Sequence, residues 1–154
     1  MLLLLSSAAV QAAPIEALKP MAFLAGHCWK GDLGSGRNDE HCYQWMYDGQ
    51  ALRDVHTVRS PGQPDYVGET IYYYDSAAKT VAYLYVENTG GFSRGTMKPS
   101  ADGLDFPEAQ YIFGGQTLTY RAHWTPGQDA YEAFSEMYLK DRWVTQFKLK
   151  LAKQ

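Results

Sequence analysis

From Leu24 onward the chain is a succession of short runs rich in Tyr, Val, Thr and Trp, separated by turns too short to hold a crossover. The runs fall at 24–30, 40–47, 50–59, 66–74, 80–87, 92–98, 104–113, 116–124, 130–139 and 142–151, with Pro107 interrupting the seventh. Asp48-Gly49 and Gly114-Gly115 read as two-residue hairpin turns, whose central residues must tolerate positive φ. Residues 75–79 form a longer turn, and Pro126-Gly127 and Lys140-Asp141 close the last two hairpins. Strands joined this way pair with their sequence neighbours, and closing the sheet removes the edges that an open meander exposes. The predicted fold is therefore all-β: a single closed antiparallel up-and-down barrel of about ten strands, wide enough to hold one small ligand. A two-sheet sandwich is the competing architecture, but it needs crossover connections that these turns do not supply.

Alternation within the runs predicts half-buried strands. In 116–124, Leu118, Tyr120, Ala122 and Trp124 oppose Thr117, Thr119, Arg121 and His123. In 142–151, Trp143, Phe147, Leu149 and Leu151 share one face, and Arg142, Gln146, Lys148 and Lys150 the other. Before the first run, residues 15–23 predict one or two helical turns, limited by Pro20.

The 154 residues suit one domain, expected over 13–154, with no repeat or linker inside it. The net charge of −3 argues against nucleic acid, which requires a basic surface. No Lys/Arg cluster favours an anionic membrane. Residues 1–12 read as a signal peptide: an apolar run ending in Val10-Gln11-Ala12, with small residues where signal peptidase needs them, although no Lys or Arg precedes the run. That run is too short to insert as a span. A periplasmic or secreted protein is expected, and in that setting Cys28 and Cys42 read as one disulfide, two buried thiols being the alternative.

Phe23-Leu24-Ala25-Gly26-His27-Cys28-Trp29-Lys30-Gly31 resembles the opening of calycin-type (lipocalin- or nitrobindin-like) barrels, in which a Gly and a Trp begin the first strand. Glu40-His41-Cys42-Tyr43-Gln44-Trp45 resembles the E-x-x-W stretch that follows in small exported bacterial members. The resemblance implies that Trp29 plugs one end of the barrel and that the interior holds a small apolar molecule. Nitrobindins bind haem through a His near the C-terminal strand. This chain has no His after His123, so the resemblance implies no haem ligand.

No nucleophile elbow, phosphate loop or paired C-x-x-C motif is present. Glu132 and Glu136 share a strand face, but solvated carboxylates are the commoner reading of such a pair. One constellation emerges from register. A two-residue turn at Asp48-Gly49 places Trp45 opposite Leu52, Tyr43 opposite Asp54 and His41 opposite His56. A directly opposed Cys28–Cys42 pair then sets Trp29 against His41 and His27 against Tyr43. His27, Trp29, His41, Tyr43, Trp45, Asp54 and His56 thus fall on one face, expected to point inward as the binding residues of an aromatic pocket with a polar end. A self-satisfied polar network and an outward-facing surface are the alternatives. No metal is expected, since His27 lies only diagonally from His41.

The functional expectation is a barrel that binds a small apolar or amphipathic molecule, without a cofactor. Two alternatives stand beside it. One is a hydrolase, isomerase or decarboxylase using His41 or His56 as general base, oriented by Asp54. The other is a protein-interaction module using Tyr-rich outer strands or the disulfide loop 31–39. Nothing in the sequence sets the oligomeric state.

Overall fold

The computed structural model describes residues 13–154; the expected leader, 1–12, lies outside the described residues. Ten strands follow one another: β1 Cys28–Gly34, β2 Arg37–Met46, β3 Ala51–Arg59, β4 Tyr66–Asp75, β5 Thr80–Glu87, β6 Phe92–Pro99, β7 Leu104–Phe113, β8 Gln116–Pro126, β9 Ala130–Leu139 and β10 Arg142–Lys153. Each pairs antiparallel with the next, and β10 closes onto β1 through Trp29↔Lys153, Lys30↔Ala152 and Gly31↔Leu151. The fold is one closed antiparallel up-and-down β-barrel. No helix among the described residues is long and apolar enough to cross a membrane.

The main departure from the sequence reading is at the start. The first strand was expected at 24–30, but residues 22–26 turn, with Gly26 at φ +78, and β1 begins at Cys28. The preceding 3-10 helix, Glu16–Met21, and this turn carry Leu18, Met21 and Leu24 to full burial. These apolar residues belong to a lid, and burying them across the barrel end removes their side chains from water. Residues 31–39 are correspondingly not a loop: β1 and β2 run through them to a tight turn at Ser35-Gly36.

At the Asp48-Gly49 connection the chain turns through Tyr47, Asp48 and Gly49, all at positive φ, and Met46↔Ala51 is the last rung. The turn is wider than expected by one residue on each side, so the register is unchanged: Trp45↔Leu52, Tyr43↔Asp54, His41↔His56.

Bulges correct two further expectations. Pro107 does not break β7; the ladder shifts between Phe106 and Ala109 and continues. In β10 the shift between Thr145 and Phe147 leaves Gln146 as an extra residue. Trp143 consequently parts from the face of Phe147, Leu149 and Leu151. It pairs with Tyr138, and the Arg121 guanidinium lies 4.2 Å from its ring centroid, on the outer surface.

The core fills the end beneath the lid: Leu18, Met21, Leu24, Trp29, Leu52, Met97, Leu104 and Leu151. Cys28 and Cys42 are bonded across β1 and β2.

Candidate functional site

Above this packed end, tyrosines replace aliphatics on the inward face, and a cavity of about 360 Å³ remains. Its walls are mainly aromatic: Tyr66, Tyr72, Tyr83, Tyr85, Tyr111, Tyr120, Phe106 and Trp124. Glycines on neighbouring strands make room for these rings. A Cβ on Gly68 would strike the Tyr85 ring, and one on Gly95 the ring of Tyr83. The phenol groups bond to one another, Tyr66 to Tyr85 at 2.5 Å and Tyr83 to Tyr120 at 2.7 Å, with Ser93 Oγ 2.8 Å from the Tyr120 hydroxyl. Paired in this way, the rings present apolar faces to the cavity while their polar ends are satisfied. Burial raises the pKa of the Tyr72, Tyr83 and Tyr85 phenols well above the ordinary value, so they stay neutral.

Ionisable side chains occupy one wall of the cavity, built by β2 and β3. Directly opposed His41 and His56 stack with ring centroids 4.3 Å apart and planes 4° from parallel. The Nδ1–H of His41 donates to Asp54 Oδ2 at 2.7 Å, and Asp54 is only 2% exposed. On the other side of the pair, Asp39 Oδ1 lies 2.8 Å from His56 Nε2 and 3.5 Å from His41 Nε2. His41 therefore sits between two carboxylates. Burial opposes its charge, but the attraction of Asp54, the hydrogen bond to it and the nearby Asp39 carboxylate prevail and raise its pKa to about 10. Burial likewise opposes the charge on Asp39, but the His41 and His56 rings beside it hold it well below the usual carboxylate range.

The seven residues singled out from sequence divide into two groups. His41, Asp54 and His56 line the cavity. Trp29, Tyr43, Trp45 and His27 are not among its lining residues. Trp29 is 1% exposed in the closed end, where its Nε1–H donates to Leu24 O at 3.0 Å and its ring meets Phe23 and Tyr131 edge-on. Tyr43 forms the layer between, stacked 6.0 Å from His41 and bonded to the Tyr131 hydroxyl at 3.1 Å. Trp45 is half-buried against the closed-end core. His27 precedes β1; its carbonyl accepts from Tyr43 N, and its ring meets Trp29 edge-on at 6.3 Å.

Sequence reasoning missed Asp39 and the tyrosine walls. The sequence reading places Asp39 in a loop, yet it stands two residues before His41 on the same strand. Alternation would have placed it on the same face, once β2 was known to start at Arg37. Glu132 and Glu136 are paired outside the barrel, with Lys148 at 3.1 Å and Arg121 at 2.7 Å. His123 is likewise outside, bonded to Asp105 at 2.6 Å.

No protein-family model matches the chain, and no curated protein matches it.

Proposed function

We propose that this chain is an exported calycin-like barrel that binds a small, mostly apolar or amphipathic molecule inside its barrel. The observation that carries this reading is the cavity itself, about 360 Å³ with aromatic walls and ionisable groups concentrated on one side. That combination suits a ligand with a broad apolar body and one polar end: the rings supply contact area, and the His41–His56 wall fixes orientation. A Cys28–Cys42 disulfide fits a non-reducing compartment outside the cytoplasm.

The test is native mass spectrometry of the protein purified from its own host, combined with titration of an apolar fluorophore such as N-phenyl-1-naphthylamine. We expect a co-purifying small molecule, and saturable fluorophore binding that disappears in Ala122→Phe, which fills the cavity from β8. Absence of both an adduct and saturable binding would refute the reading.

The 2.7 Å bond between His41 and Asp54 supports a second reading, in which His41 transfers protons to or from a molecule held in the cavity. Under that reading, turnover of a bound molecule collapses in His41→Gln while its binding survives.

A further inference from the structure

We propose that Asp39, His41 and His56 form a binding site for a divalent first-row metal ion of the zinc type, with one coordination position open to the barrel cavity. One carboxylate oxygen and two imidazole nitrogens lie within 4.8 Å of one another. A tetrahedral ion with bonds of ~2.0–2.2 Å holds its donor atoms ~3.3–3.5 Å apart. The Asp39 Oδ1 to His41 Nε2 distance, 3.5 Å, already meets that requirement. The Asp39 Oδ1 to His56 Nε2 distance, 2.8 Å, needs a small rotation of the carboxylate.

Two further observations point to a cation. The first is the pairing of the atoms involved. Asp39 Oδ1 and His56 Nε2 are both buried, and neither has a hydrogen-bond partner, although they approach to 2.8 Å. Their alignment is not that of a hydrogen bond. Buried polar groups left in this state are costly, and an ion bonded to both would satisfy them together.

The second is the arrangement around His41. Its Nδ1–H is fixed by Asp54, so Nε2 is the ring nitrogen that faces Asp39. A carboxylate behind a ligating imidazole is the usual way of fixing tautomer and ring direction at a metal site. Nε2 can hold either a proton or a metal ion between itself and Asp39, and the ion replaces the proton. Two imidazoles and one carboxylate suit zinc and its first-row neighbours rather than calcium or magnesium, which prefer all-oxygen sites.

His41 and His56 both line the cavity, and the Tyr66 and Tyr85 rings lie 5.7 Å and 6.4 Å from the His56 ring. An ion held here is reached through the cavity and retains a place for water or for a donor atom of a bound molecule. This proposal is independent of the apolar-ligand reading, because the metal alone is the probe.

The experiment is calorimetric titration of zinc into the metal-stripped, tag-free full chain, with cobalt as a spectroscopic substitute. We expect one ion per chain and visible d–d absorption of low-symmetry cobalt. Side-chain NMR signals of both His41 and His56 should shift and saturate at one equivalent. Asp39→Asn and His56→Gln should each weaken binding by ~10-fold or more, and Asp54→Asn, which touches only the ligand His41, by ~10–100-fold. His123→Gln, on the outer surface, should bind as the unmodified chain does. No saturable binding at micromolar zinc would overturn the proposal, as would full affinity in a folded His41→Gln/His56→Gln variant. The NMR measurement needs no variant: His41 and His56 signals that remain still at one equivalent of zinc would also overturn it.

Discussion

His41 Nδ1 and Asp54 Oδ2 lie 2.7 Å apart across β2 and β3, joining a ring on the cavity wall to a carboxylate that is 2% exposed. Asp54 and the ring hold each other in place. A buried carboxylate without a partner is expensive, and so is an imidazolium deprived of its counter-charge.

Breaking this pair from either side should therefore cost more than an ordinary hydrogen bond. For Asp54→Ala we expect a loss of ~3–5 kcal/mol, the range for removing one member of a buried ion pair. Asp54→Asn keeps the shape and should cost less. Urea denaturation of the metal-stripped protein measures both. Equal midpoints for Asp54→Ala and the unmodified chain would show that the pair contributes nothing to stability.

Trp29 should be the most sensitive aromatic position in the closed end. Its ring is enclosed by Phe23 and Tyr131, and its one polar atom is satisfied by Leu24 O. Trp29→Ala is expected to cost ~3–5 kcal/mol, because the lid residues Leu18, Met21 and Leu24 cannot collapse fully into the space left behind. A Trp29→Phe variant should recover part of that loss. The comparison is read from denaturation midpoints, and an unchanged midpoint in Trp29→Ala would show that the ring is dispensable.

The Cys28–Cys42 bond closes a loop of 14 residues around the β1–β2 hairpin. In the chain-entropy picture a loop of this size is worth ~3 kcal/mol. Cys28→Ser/Cys42→Ser should therefore unfold at lower denaturant by an amount matching that figure, with the denaturant slope nearly unchanged. A reducing agent should reproduce the shift in the unmodified chain and leave the double variant where it is. Failure of the reductant to move the midpoint would assign the variant's loss to packing instead.

Most of the barrel could be read from the sequence because hairpin turns and two-residue alternation are local. Nine of the runs reappear as strands within a few residues, and the His41↔His56 register follows from one turn. What could not be read depended on distant partners. Leu18, Met21 and Leu24 become a lid only because the barrel end they cover exists. Trp143 turns outward because a bulge at Gln146, invisible in the alternation, inverts the face. Of the candidate site, the His41–Asp54–His56 wall was legible, since all three lie within one hairpin. The cavity's tyrosines come from β4, β5, β7 and β8: Tyr66 and Tyr85 reach His56 through the β3–β4–β5 pairing, while Tyr111 and Tyr120 line the same cavity only because the sheet closes.

Acid should loosen the β5–β6 turn through Glu87. Its carboxylate accepts from Thr89 N at 2.5 Å, Thr89 Oγ1 at 2.8 Å, Tyr111 Oη at 3.0 Å and the Gly91 amide. Burial alone would raise the Glu87 pKa, but these donors outweigh it and hold the group below its ordinary value of 4.5. Between the folded value and 4.5 the unfolded chain binds more protons than the folded one, so stability falls as the pH falls. The contribution is complete above the ordinary value and disappears as the pH drops through the folded one. Glu87→Gln removes the charge and keeps the shape. At neutral pH it should cost ~1.5–3 kcal/mol, the range for hydrogen bonds to a charged acceptor. The gap between variant and unmodified chain should then narrow as pH falls through the carboxylate range. Taking the difference between the two proteins removes the shared effects of Asp39 and Glu69, whose pKa values are also lowered. Denaturation midpoints at a series of pH values check this, and a gap that stays constant through acid would show that the turn does not depend on the Glu87 charge.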